Sequence, residues 1–478
     1  MKRDVDIGEH SLSARLRANE EARKTTADAR PKSVDDFYAY LPSHQYIYIP
    51  TRELWITQSV KRVLPPSIDG DRVVAADYWL DKNRAVDQMV WLPGAPKIIE
   101  DRVAVSGGGG FTRKDGARIF NLYQPPPPIM GKRRRSIAPW LDLINRLYPS
   151  DAVHLIRWFA HRVQRPGEKI NHALVLGGQQ GIGKDTILTP VAHAVGDWNF
   201  GDISPTQLLE SFNPFVKSVV LRISEARDLG EINRYAFYEH TKVYMAAPPD
   251  FLSCNEKHMR RLYVANVCGV IITTNHKRGG IYLPADDRRH YVAWSDAKKD
   301  EMQRLCANVW AWYENGGLDA VAAYLARYPL RSFKPKMPPK RTDAWHAIVE
   351  SNVAPETNEL LSAIVKLKNP ATLTLDDISE AAPELADYFD DRRNARQVPH
   401  RLEEVGYMAI RNPYAKDRQW AIGGFRVTIY GRMDATEEER RSSVNERIDA
   451  GRKRLAAAKR AAERAEKVAD AARNGRAA

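Results

Sequence analysis

The sequence predicts an α/β fold, and three observations carry that reading. Residues 171–188, NHALVLGGQQGIGKDTIL, run from an apolar stretch (Ala173 to Leu176) through a glycine-rich turn to a lysine and a segment able to start a helix. Two more apolar runs, SVVLRISE at 218–225 and CGVIITTNH at 268–276, read as strands that end in a polar residue. Between Trp140 and Val163, two apolar stripes recur at helical spacing. Strand, turn and helix in alternation place the chain in the α/β class.

Taken in order, residues 1–34 are polar and read as disordered or loosely helical. Residues 35–135 form a small β-rich α+β domain, with short strands at Tyr46 to Ile49 and Met89 to Leu92, the turn signal SGGGG and a closing PPPP. GKRRRS at 131–136 reads as a solvated linker. Residues 136–330 make the central domain. It opens with a helix pair, Trp140, Leu143, Ile144 and Leu147 on one stripe, then Ala152, Leu155, Ile156, Phe159 and Val163 on the next, and closes with helices over about 300–328. A basic, proline-containing linker follows at 331–357. From 358 to 432, helical patterns precede DDRRNARQVPHRLEEVGY and two strands. Helices followed by a hairpin suggest a winged helix, with Arg392, Arg393, Arg396 and Arg401 facing a DNA groove and Lys416 and Arg418 in the wing. Packing against the central domain or a partner is the alternative. Residues 433–478 are rich in Ala, Arg and Glu without an apolar seam, which predicts a charged helical or disordered tail.

The chemistry begins at 178–184, which fits the phosphate-binding pattern G-x-x-x-x-G-K. Gly178, Gly181 and Gly183 let the backbone curl so that successive N–H groups point at phosphate oxygens. The helix that follows adds its positive end, and Lys184 adds a point charge. The next residue, usually a hydroxyl that binds magnesium, is Asp185, with Thr186 after it. Either one can take the metal role. Downstream, Glu225 ends its strand, where a carboxylate polarises water and helps to hold magnesium. Asn275 ends another, where an amide orients water or phosphate; a turn-forming Asn is the alternative. Arg288 and Arg289 precede an apolar strand, suited to an arginine finger or else to a surface ion pair with Asp286 and Asp287.

The series GGQQGIGKDT, RISEA, ITTN and DDRRH resembles the superfamily 3 helicase domain of phage primase-polymerases and their poxvirus-type primase-helicase relatives. The resemblance covers about 150–300 firmly. It implies a P-loop (AAA+-like) ATPase core, which the small N-terminal α+β domain and the C-terminal winged helix read above would flank. It also implies ATP and Mg²⁺ as cofactors, and Lys184, Glu225, Asn275 and Arg288 or Arg289 as phosphate lysine, second motif, sensor and finger. Such helicases carry a basic pore hairpin between the second motif and the sensor. Lys257, His258, Arg260 and Arg261 stand in that position here. No polymerase or primase motif accompanies them.

Composition agrees. The chain has 478 residues, 43% hydrophobic, with 73 Lys and Arg against 60 Asp and Glu, so its formal charge of +13 suits a polyanionic partner. Cys254, Cys268 and Cys306 lack paired metal spacing, which argues for a reducing compartment without structural zinc. No apolar run is long enough for a membrane span, and the N-terminus is no signal peptide. The expectation is a cytoplasmic protein of a bacterial host cell: an ATP-dependent helicase of phage or prophage replication, a homo-oligomeric ring, in all expectation a hexamer, on single-stranded and forked DNA, working beside a separate primase or polymerase. An ATP-dependent initiator or helicase loader would use the same residues. A DNA-binding regulator with a decayed nucleotide site would not need Lys184, Glu225, Asn275 and the arginines together.

Overall fold

The computed structural model describes residues 11–29, 32–105, 110–128, 136–224, 231–257, 262–276, 281–351, 355–391, 394–395 and 397–474. The chain divides into two compact units, 1–352 and 353–478.

At the centre of the first unit lies a five-stranded parallel sheet: β1 (Ala173–Gly178), β2 (Phe200–Ile203), β3 (Val220–Ile223), β4 (Gly269–Thr274) and β5 (His290–Ser295). Its spatial order is β2-β3-β4-β1-β5. Every residue of β1 and β4 is buried, as an apolar run covered on both faces must be. The chain leaves β1 toward the far edge and returns to its other side only with β5. The strand order therefore reverses beside β1, and open parallel sheets bind ligands at that point, outside the carboxyl ends of the strands. The expected helix pair is present as Ala138–Leu147 and Ala152–Gln164, with Trp140, Leu143, Ile144, Leu155 and Phe159 fully buried.

Two regions differ from the sequence expectations. Residues 12–29, read as part of a disordered or loosely helical terminus, form an 18-residue helix, α1 (Leu12–Ala29), with Leu12 fully buried. Its apolar content is low, and polar contacts hold it. Asn19 Nδ2 donates to Asp197 Oδ2 at 2.5 Å, Arg23 reaches the Gln124 side chain at 3.2 Å, and Tyr48 Oη donates to the Ala27 carbonyl at 2.8 Å. Residues 331–351, read as linker, carry the helix Asp343–Ser351, which packs on β5 through buried Trp345 and Ile348. Thr342 Oγ1 donates to the Val292 carbonyl at 2.6 Å, tying that segment to the sheet.

The small N-terminal region does not keep its strands to itself. Phe251–Cys254 and Leu262–Ala265 pair as an antiparallel hairpin, and the second strand pairs in parallel with Gln88–Trp91. Phe111–Asn121 and Ile98–Ala104 complete that five-stranded sheet. A second sheet of four strands, order Leu54–Ile56, Gln45–Tyr48, Phe37–Tyr40, Ala85–Val86, packs on its own cluster of Phe37, Tyr46, Tyr48 and Leu80.

The second unit runs helix Pro355–Lys366, strand Thr372–Leu373, helix Leu375–Ala381, a short helix Ala386–Asp390, helix Val398–Glu404 and strand Tyr407–Ile410. The hairpin Trp420–Ile422/Phe425–Val427 and the strand Ile429–Arg432 follow. Ile429–Arg432 lies between the other two strands and is antiparallel to both. Leu360, Leu373, Ile378, Leu402 and Tyr407 form its core. The tail is a helix, Glu437–Asn474. Arg447 fixes it within this unit, donating to Asp377 Oδ2 and to the Thr372 carbonyl, both at 2.6 Å.

Candidate functional site

The glycine-rich loop joins β1 to α2 (Lys184–Val195), the helix that starts at the lysine. Gly178, Gly181 and Gly183 all take positive φ, at 140°, 81° and 106°. Side chains rarely adopt such angles, and at Gly183 a Cβ would also stand 2.6 Å from Cys306 Sγ.

Lys184 is buried, 8% exposed, at this switch point. Its ammonium donates to the Gly178 carbonyl at 2.5 Å, the Gln179 carbonyl at 3.0 Å and Asn275 Oδ1 at 2.7 Å. All three acceptors are neutral. Burial accordingly pushes the lysine down to about 8, with the nearby Asp185 acting weakly the other way. Asn275 reaches it because Thr274, the last residue of β4, pairs with Gly177 of β1. Two of the residues singled out in sequence thus meet.

Asp185 does not stand free. Arg222 of β3 donates from Nη1 to Asp185 Oδ1 at 2.6 Å, and from Nε and Nη2 to the two carboxylate oxygens of Asp202, each at 2.8 Å. The Arg222 side chain is 3% exposed, whereas that of Asp185 is 40% exposed. Burial opposes the guanidinium's charge, but the two carboxylates outweigh it and raise Arg222 above its ordinary value. Thr186 is buried. Of the two metal candidates, Asp185 keeps the accessible oxygen.

Further along α2, Pro190 interrupts the ladder. It has no N–H for the Thr186 carbonyl, and the buried Tyr313 hydroxyl donates there instead, at 2.8 Å.

Arg288 and Arg289 lie at the other end of the sheet. Ala173 pairs with His290 and Gly178 with Ser295, so the arginines, which precede His290, sit about 20 Å along the strands from the loop. Neither forms an ion pair among the described residues. The surface-pair alternative fails at Asp287, which is buried and bonded to His290 Nδ1 at 3.0 Å and to Tyr238 Oη at 3.2 Å. Burial would raise the Asp287 carboxyl, but the His290 ring and the Trp345 and backbone N–H groups outweigh it and hold it low.

Lys257 is exposed just beyond the strand Phe251–Cys254. The chain just beyond this strand is anchored: Asn255 N donates to Asn213 Oδ1 at 2.6 Å, and Lys217 pairs with Glu256 at 2.5 Å. Glu225, His258, Arg260, Arg261, Arg392, Arg393 and Arg396 lie outside the described residues. Among those described, no group of three or more His, Cys, Asp or Glu gathers to hold a metal.

Sequence reading missed Arg222, Asp202 and Ser13. A signal existed for the first, since an arginine inside the apolar run SVVLRIS must find a buried anion.

A family model described as a family of unknown function, DUF5906, matches residues 176–289. No curated protein matches the chain. Among solved structures, the apo structure of the NrS-1 C-terminal region (305–718) matches at a TM-score of 0.53 and 14% identity, covering 83% of this chain and 95% of that one. The A form of the same region matches at 0.50 and 14%, covering 83% and 96%. The X-ray structure of JCV helicase matches at 0.26 and 11%, covering 49% and 66%, too distant to bear on the fold. At these identities the likeness to the NrS-1 region is one of fold: a mixed α/β chain built on a parallel sheet.

Proposed function

We propose that the chain is an ATP-dependent DNA helicase of phage or prophage replication, working as a homo-oligomeric ring. The observation that carries this reading is Lys184: a buried ammonium at the carboxyl end of β1, in a loop of positive-φ glycines, whose hydrogen-bond acceptors are all neutral. Such a charge suits phosphate. Bound ATP and Mg²⁺ would supply the scissile anhydride and a neutralising cation. Lys184 would turn from the loop carbonyls to phosphate oxygens, guided by Asn275, and the N–H groups at the start of α2 would hold the same phosphates. Asp185, with its accessible oxygen, is the residue best placed to hold the metal. Glu225, which follows β3 by two residues, would take a proton from water.

The arginines, far from this chain's own loop, fit a finger that acts on a neighbour's nucleotide. The hairpin that carries Lys257 between its two β-strands would touch the DNA strand in the ring. The second unit's order of helices, strand, hairpin and strand supports a winged-helix reading, in which Val398–Glu404 would be the helix that meets a groove and Trp420–Val427 the wing. A DNA-stimulated ATPase assay tests the reading. Glu225→Gln should bind ATP as the unaltered protein does but hydrolyse it at least about a hundredfold more slowly. Near-normal turnover in that variant removes Glu225 from the catalytic role.

A further inference from the structure

The first turn of α1 meets Asp202 of β2 and Arg222 of β3. Ser13 Oγ donates to Asp202 Oδ2 at 2.5 Å and accepts from Arg222 Nη2 at 2.8 Å. Nε, Nη1 and Nη2 of Arg222 each donate to a carboxylate oxygen, and the Ser13 hydroxyl is a second acceptor for Nη2. A guanidinium so buried cannot change partners freely, because each N–H left unpaired costs the desolvation of that group. The cluster therefore fixes one oxygen of Asp185 at 2.6 Å from Arg222, while Oδ2 has no hydrogen bond among the described residues.

The charges matter as much as the geometry. Asp185 at the start of α2 would repel a polyphosphate if it stood alone. Arg222 offsets that repulsion, and the two carboxylates with one guanidinium leave a net charge of −1, which attracts a divalent cation.

We propose that Arg222 is a positioning residue for Asp185, and that Ser13 of the N-terminal helix, acting through Arg222, sets how tightly the loop holds a divalent cation together with a nucleotide. This rests on the nucleotide-site reading above and adds a control to it. The same helix touches the small four-stranded sheet at its other end, where Ala27 accepts from Tyr48. Fourteen residues of helix, about 21 Å, thus separate the contact with that sheet from the Arg222 cluster.

The test is ADP affinity of the full-length protein by fluorescence titration, once with Mg²⁺ and once in EDTA, with no turnover involved. Ser13→Ala is expected to lower the ratio of the two affinities by about threefold to tenfold, the worth of one buried hydrogen bond. Ser13→Thr, which keeps the hydroxyl, should restore it. In an Asp185→Asn background, Ser13→Ala should leave the ratio unchanged, which a merely structural role would not do. An unchanged ratio for Ser13→Ala, or an equal loss in both backgrounds, overturns the proposal while leaving the nucleotide site intact. No ADP binding by the unaltered protein, with or without Mg²⁺, would remove both.

Discussion

Lys184 and Asn275 meet because β1 and β4 run side by side in register, so an ammonium and an amide from residues 91 apart share one hydrogen bond. The depressed lysine has a pH consequence. Phosphate needs the protonated form, so nucleotide affinity should be flat below about pH 7 and fall as pH rises through about 8, by up to about tenfold per unit. Stability of the free protein should run the other way. The unfolded chain keeps this proton to about pH 10.4, so between the two values it binds more protons than the folded state, and raising pH relieves the cost of a buried charge. Lys184→Arg, which does not titrate in this range, should flatten the affinity profile measured by equilibrium binding. A profile that still falls through pH 8 in that variant assigns the titration elsewhere. The lysine, its glycines and the asparagine were legible in sequence because a phosphate loop is a local pattern. Arg222 with Asp202 and Ser13 was not, since its partners come from positions 20 and 209 residues away.

At the scale of elements, α2 depends on an outside donor. Tyr313→Phe keeps the ring but leaves the Thr186 carbonyl, next to the loop, buried without a partner. The variant should lose about 1–3 kcal/mol in denaturant unfolding, with the slope unchanged. A loss near zero would mean that another group or water already satisfies the carbonyl. The apolar stripes at 140–163 were readable because helical periodicity is strong there. The docked α1 was not, because charged and small residues hold it through side-chain contacts that no periodicity records. The hairpin Phe251–Cys254/Leu262–Ala265 was expected at its place in the chain, but its pairing with Gln88–Trp91 joins segments more than 160 residues apart and follows only from the fold.

Over the whole molecule, the arginine placement carries the claim of assembly. A chain whose Arg288 and Arg289 lie about 20 Å along the strands from its own loop needs a neighbour if they are to act on nucleotide. Mixing the Arg288→Ala, Arg289→Ala double variant with Glu225→Gln should restore part of the ATPase that each lacks alone, because mixed interfaces pair an intact loop with an intact finger. No recovery from demonstrably mixed assemblies would exclude an intersubunit finger. Strand displacement on forked DNA, followed by fluorescence with and without ATP and Mg²⁺, tests the central claim most directly. ATP-dependent separation of the strands, abolished in Lys184→Ala and Glu225→Gln, is the expected result. ATP hydrolysis that leaves the fork paired, with the protein bound to it and assembled, would contradict a helicase.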